Sequence, residues 1–286
     1  MSTQPRIVAA GLEQEYRNVL ARWPVPATQQ RIATRAGETF VVSCGPEHAE
    51  PVVLLHGALT LAASWMFDAS HWAQRYRVHA IDLPGEPGLS TPTSLPLIGD
   101  AHAQWLDDVL DGLQIANTSM VGISLGARMA LDYAIQRPGR ITRLALLCPS
   151  GIGRQKPFLL KALPWLLLGK RGAAHVRAMV MGPPRPIPAH AQPLMNLLEN
   201  IRARVRPRPR KIPRFTDAQL HSVRASTLVI VGGRDAMLDS RHTALRIQRT
   251  MPRAQVKFIE DAYHYIPDQR ETIFQFLGAT EHPHVD

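Results

Sequence analysis

Apolar positions along the chain change their period several times, and each change marks an element. Leu12, Tyr16, Val19, Leu20 and Trp23 recur at helical spacing, which predicts an amphipathic helix over the first 25 residues that stops before Pro24 and docks on the core. Strand-like runs follow in "RIATR", "TFVVSC" and "PVVLLH". The third is almost continuously apolar, the pattern of a strand buried on both faces of a sheet. "RVHAID" is another such run, followed by the turn-rich "LPGEPGLSTPTS" and by a helical pattern over about 98–113, with Trp105, Val109 and Leu113 on one face. "TSMVGI" then leads into a helix that opens at Leu125 and is stopped near Gln136 by Pro138 and Gly139, and "ITRLALLC" is again a strand.

Between about 152 and 222 this rhythm breaks: the segment has no convincing strand, many apolar residues and clusters of proline and arginine. Alternation then resumes with "STLVIVGG" (strand), "SRHTALRIQRTM" (helix), "QVKFIE" (strand) and "PDQRETIFQFLG" (helix). Alternating strands and helices predict an α/β fold: a mostly parallel central sheet with helices on both faces. Its core comprises 26–151 and 223–286, and 152–222 is an inserted helical cap.

Composition adds limits rather than identity. At 286 residues and 45% hydrophobic, the chain is long enough for one large core with an insertion. No apolar run reaches the length of a membrane span, and the N-terminus lacks the basic start and uninterrupted apolar stretch of a cleaved signal, so a cytoplasmic protein is expected. Cys44 and Cys148 lie on strand-like runs and read as buried free thiols, without metal-ligand spacing. The net charge of +10 invites a nucleic-acid reading, but 201–216 alone, with six arginines, one lysine and no acid, supplies seven of those charges. No aromatic platform or recognised nucleic-acid motif accompanies that run, which reads as a solvated, proline-stiffened connector. No nucleic acid, metal or cofactor is implied.

The chemistry centres on "GISLG". Ser124 lies where a strand turns into a helix, and Gly122 and Gly126 leave room where the two crowd together. A serine hydroxyl needs a base, and the base needs an acid to fix its tautomer. Of the twelve histidines, His264 follows the last strand, on the sheet edge that also carries Ser124. Asp235 comes from the same edge, after "STLVIVGG". Asp239 reads instead as a helix N-cap, and Asp82 as shaping the turn after its strand. An oxyanion would need pre-aimed donors: the backbone N–H groups of Leu125, at a helix start, and of Ala58, after the turn made by Gly57. His56 reads as structural, shaping that loop. Trp65, Trp165 and Met179 are candidate lining residues of a pocket. The leucine-rich "KPFLLKALPWLLLGK" either buries the cap against the core or forms an apolar lid over the site.

Together "HGALT", "GISLG", "GGRDAML" and "AYHYIP" resemble the α/β-hydrolase superfamily, over about 35–150 and 223–278, in its order of nucleophile, acid and histidine. The resemblance implies about eight strands, a cap after the strand that follows the nucleophile helix, and a serine hydrolase acting on a small to medium, partly apolar ester. Serine at 124, where an aspartate would be expected, sets the chain apart from the epoxide-hydrolase and haloalkane-dehalogenase branches. Tyr263 departs from the glycine that many members carry before the histidine. The same triad would also serve C–C or thioester hydrolysis, peracid formation or a lyase step, and a non-catalytic ligand-binding role is the remaining alternative.

Overall fold

A computed structural model describes residues 11–205 and 212–279. Among them, eight strands form one sheet: β1 (Ala27–Thr34), β2 (Gly37–Cys44), β3 (Pro51–Leu55), β4 (Arg77–Ile81), β5 (Thr118–Ile123), β6 (Ile141–Leu147), β7 (Ser226–Gly232) and β8 (Gln255–Ile259). Their spatial order is β1-β2-β4-β3-β5-β6-β7-β8. β1 and β2 form an antiparallel hairpin, and β2 also runs antiparallel to β4; every pairing from β4 to β8 is parallel.

Side-chain alternation sorts the apolar strands into two core layers. In β3, Val53 and Leu55 face one layer, with Met120, Leu144, Leu146 and Val229. Helices α3 (Ala101–Gly112), α4 (Leu125–Gln136) and α9 (Ser240–Thr250) close that layer through Trp105, Leu106, Ala127, Leu131 and Ile247. Val52 and Leu54 face the opposite layer, closed by α2 (Met66–Trp72) and α10 (Arg270–Gly278) through Trp72, Phe276 and Leu277. Burial on both faces explains the uninterrupted apolar runs of the central strands. Helix α3 starts at Ala101 rather than 98, and its N-cap Asp100 makes no capping bond, because its carboxylate pairs with Arg137 at 2.9 Å.

Between β6 and β7 lie α5 (Phe158–Leu166), α6 (Gly169–Met181), α7 (Gln192–Arg204) and the short α8 (Asp217–His221). The N-terminal helix α1 (Leu12–Leu20) packs Leu12, Tyr16, Val19 and Leu20 against Leu194, Leu197, Leu198 and Ile201 of α7 and against Phe40, Val42, Leu61 and Met66. It therefore bridges the inserted helices and the sheet rather than touching the sheet alone. Of the two readings of the leucine-rich segment, burial against the core does not hold for Leu159, Leu160, Leu163, Leu167 and Leu168, which are all exposed. Met179 is half-buried on α6. Residues 206–211 of the arginine-rich connector, including Arg206, Arg208 and Arg210, lie outside the described residues, as do His282 and His284. Cys44 and Cys148 are unpaired and buried. No described helix is long and apolar enough to cross a membrane.

Candidate active site

Ser124 sits between the last residue of β5 and the first of α4, with φ 52° and ψ −103°, a conformation that side-chain-bearing residues rarely adopt. The turn is held from outside. The Ser124 N–H donates to Leu147 O at 2.9 Å, and Ser124 O accepts from Arg128 N at 3.0 Å. Space at the turn is minimal. A Cβ on Gly126 would lie 2.2 Å from Leu55 O, and one on Gly122 2.6 Å from the backbone of Ala127. Only glycine fits at either position.

The same edge of the sheet supplies the next two groups. His264, in the loop after β8, places Nε2 3.0 Å from Ser124 Oγ and Nδ1 2.7 Å from Asp235 Oδ2. Asp235, after β7, is almost fully buried. Its other oxygen accepts from Met237 N at 2.7 Å and Leu238 N at 2.9 Å. Burial works against its charge, but the bonds from His264, Leu238 and Met237 outweigh it and hold the carboxyl below its ordinary range. An ionised carboxylate can only accept, so Nδ1 of His264 carries the proton and Nε2 faces Ser124 as an acceptor. Asp239 accepts from His242 N at 3.0 Å at the start of α9, the N-cap role expected of it. Asp261 is exposed and pairs with Arg234.

The loop after β3 is fixed by His56. Leu83 N donates to its Nε2 at 3.0 Å, so Nδ1 is the protonated nitrogen and donates to Gly57 O at 2.8 Å. Burial pushes the His56 imidazole down to about 4, which keeps it neutral. Thr60 Oγ1 donates to the same Gly57 oxygen at 2.8 Å. Because a peptide is planar and trans, two donors on the Gly57 carbonyl turn the Ala58 N–H to the opposite side. The next residue, Leu59, has φ 57°, and its N–H donates to Glu86 Oε2 at 2.8 Å. The Leu125 N–H, in the first turn of α4, has no acceptor within its own helix and lies at the positive end of the helix dipole.

Two supporting residues make contacts beyond those read from the sequence. Buried Asp82 accepts from Ala62 N at 2.7 Å, Leu89 N at 2.8 Å and the Tyr16 hydroxyl at 3.0 Å, and so joins the loops after β3 and β4 to α1. Burial pushes its carboxyl up to about 6. Cys148, at φ 43°, lies beside the triad: its sulfur, an Asp235 oxygen and a His264 nitrogen fall within 4.8 Å of one another. Burial and the Asp235 charge push the Cys148 thiol well up, so it stays protonated next to the carboxylate.

Trp65 and Trp165, two of the candidate lining residues, each pack against another ring. Trp65 is buried in the core layer against Trp72, with ring centroids 6.1 Å apart. Trp165 stacks on His175 at 3.6 Å, on the inserted helices. Tyr263, the departure before the histidine, has a use here. Its ring lies where a Cβ on Gly182, at the end of α6, would come within 2.8 Å. Tyr265 N donates to Val180 O at 3.1 Å, a second tie between α6 and the histidine loop.

Comparison with known proteins agrees with this architecture. Residues 52–276 match the Alpha/beta hydrolase family. An uncharacterized carboxylesterase, nap, of Bacillus subtilis (strain 168) is 29% identical over 277 residues, covering 93% of this chain and 92% of that protein. Carboxylesterase YbfK of the same organism is 26% identical over 93% of this chain and 92% of its own length. The crystal structure of naproxen esterase (carboxylesterase NP) from Bacillus subtilis superimposes with a TM-score of 0.80 at 27% identity, covering 96% of this chain and 100% of that one. With four-fifths of its length under the family match and a carboxylesterase fold throughout, this chain belongs to the alpha/beta hydrolase family.

Proposed function

We propose that the protein hydrolyses carboxylic esters of small to medium, partly apolar substrates through an acyl-enzyme on Ser124. The observation that carries this reading is the unbroken hydrogen-bond chain from Ser124 Oγ through His264 to Asp235. The carboxylesterases similar to it over nine-tenths of the chain support it. His264 Nε2 takes the Ser124 proton as Oγ attacks the acyl carbon. The N–H groups of Ala58 and Leu125 stabilise the oxyanion. His264 then protonates the leaving alcohol and later takes a proton from the water that releases the acid. Asp235 orients the imidazole and stabilises its charged form.

Residues 152–222 act as a cap over this edge, around a core of 26–151 and 223–286 with the N-terminal helix docked against it. Support comes from two ties. Lys156 N donates to Met237 O beside Asp235, and α6 ends against the histidine loop. Two buried, unpaired cysteines suit a reducing compartment, and we place the protein in the cytoplasm.

The test is labelling with a fluorophosphonate followed by mapping of the adduct, then turnover of a panel of neutral esters. The expected result is one adduct on Ser124, ester turnover by the wild type, and loss of both label and turnover in Ser124→Ala with an unchanged circular dichroism spectrum. Ester turnover retained by the folded alanine variant would refute the role of Ser124.

A further inference from the structure

The inserted helices carry a surface that the ester chemistry does not use. On α5, Leu159 is 75% exposed, Leu160 73% and Leu163 56%, and just beyond the helix Leu167 is 80% and Leu168 62% exposed. Contiguous exposed apolar surface of this kind is uncommon on a soluble chain and marks an interaction face. Local packing commits these leucines outward. Ala162, on the opposite side of α5, is buried. A Cβ on Gly172 of α6 would lie 1.5 Å from Trp165 O, so the two helices meet backbone to backbone with no room for a side chain to swing between them.

The segment that carries this face is basic, and of its cations Arg177 pairs with Glu199 and Arg185 with Asp268. From Tyr133 to Leu198 the sequence contains no Asp or Glu, while 152–198 carries seven Lys and Arg residues. Lys161 on α5 and Arg171 on α6 are exposed, and neither forms an ion pair with a described carboxylate. A second copy of this chain is a poor fit to such a surface. A two-fold contact sets a patch against itself and would bring these cations together with no acid between them. An anionic lipid surface meets both requirements, because acyl chains take the leucines and headgroups take the cations. The nine residues of α5 are too few to span a bilayer.

We propose that the α5–α6 hairpin docks the protein peripherally on anionic membranes. Leu159, Leu160, Leu163 and Leu167 enter the interface, Lys161 and Arg171 contact headgroups, and Trp165 lies near the headgroup level. The hairpin starts beside the Asp235 loop and ends against the histidine loop, so docking holds the Ser124 edge of the sheet close to the lipid. The chemical consequence, access to esters dissolved in the bilayer, rests on the esterase reading; the docking does not.

The test is co-sedimentation of the full-length protein with vesicles of phosphatidylcholine alone and of phosphatidylcholine with one-third phosphatidylglycerol, read without any turnover. Binding is expected to the anionic vesicles only, to weaken as salt is raised, and to fall at least about tenfold in a Leu159→Asp, Leu160→Asp, Leu167→Asp triple variant. Leu245→Asp, an equally exposed leucine on α9, should bind like the wild type. All four positions are on the surface, and circular dichroism would verify that the variants fold. No binding to anionic vesicles, or equal binding by the folded triple variant, overturns the proposal. So does a dimer in sedimentation velocity that the triple variant abolishes while vesicles leave the protein in the supernatant.

Discussion

Glu86 shows how a residue far from Ser124 in sequence sets the geometry of the site. Its carboxylate holds the Leu59 N–H at 2.8 Å, one residue beyond the Ala58 N–H assigned to the oxyanion, and Leu59 is in the left-handed region. Removing the acceptor frees a strained residue to relax, and the neighbouring donor shifts with it. Loss of a complete oxyanion donor costs a hundredfold or more, and displacement of one costs less, so Glu86→Ala should lower kcat about tenfold. KM should change little, because the shifted donor matters most for the charged intermediate. Glu86→Gln keeps an acceptor oxygen and should recover most of the rate. Steady-state kinetics on a neutral ester would check both variants, and equal kcat in wild type and Glu86→Ala would remove Glu86 as a positioning residue. Ser124, Asp235 and His264 were legible because each follows a strand on one edge of the sheet. Asp82 was legible as a residue shaping the turn after its strand and Cys148 as a buried thiol, but their further partners and the part played by Glu86 were not, because these act through space across different loops and no spacing in the chain signals them.

At the scale of elements, legibility followed burial. Strands buried on both faces announce themselves as unbroken apolar runs, and β3 to β7 fall where those runs do. The inserted helices were harder to divide. The leucine run crosses from α5 into the turn before α6 without a change in composition, and its exposure obeys no core pattern. Short α2 has only seven residues and no side-chain capping bond to mark its start. Burial in the sheet also has a pH signature. His79 on β4 is hydrogen-bonded to Ser43 on β2 at 2.8 Å, and burial, helped by the Arg77 charge, pushes its imidazole from 6.5 down to about 4. Below pH 6.5 the unfolded chain takes up a proton that the folded chain refuses, so the stability this site contributes is lost as pH falls toward 4. Asp82 and Asp132, raised to about 6 by burial, push the total the other way. A difference between variants isolates the histidine. Between pH 6.5 and 4, His79→Gln should lose less stability than the wild type, by up to about 3 kcal/mol over the interval. Urea denaturation at several pH values would measure it, and parallel curves for the two proteins would mean that His79 does not titrate as its burial requires.

For the whole molecule, the question is how an insertion of about seventy residues stays registered over a sheet that it leaves after β6 and rejoins at β7. Its two ends meet. Phe215 N donates to Gly151 O at 2.9 Å, so departing and returning chain are paired. Two arginines from core helices fasten this neck. Arg128 of α4 donates to Pro213 O at 2.8 Å and to Leu97 O at 3.0 Å, with its guanidinium 4.4 Å from the centre of the Phe215 ring. Arg246 of α9 donates to Ile152 O at 2.6 Å and Phe215 O at 2.5 Å and pairs with Asp217 at 2.6 Å. Carbonyls of both strands of the neck thus depend on one largely buried guanidinium. Arg246→Met keeps most of the apolar stem and removes every donor. With charged hydrogen bonds each contributing roughly 1.5–3 kcal/mol, the loss should be about 3 kcal/mol after partial hydration of the freed carbonyls. At this chain length that is on the order of a 5 °C fall in Tm. Global unfolding is not the only consequence, because the bonds belong to the neck and not to either core layer. Below the new Tm, limited proteolysis should cut between 152 and 222 faster in Arg246→Met than in the wild type, while the flanking fragments resist. If both proteins are cut at the same rate, the neck does not depend on Arg246, and Arg128, the packing of α1 on α7 and the ties of Lys156 and Val180 to the acid and histidine loops hold the insertion.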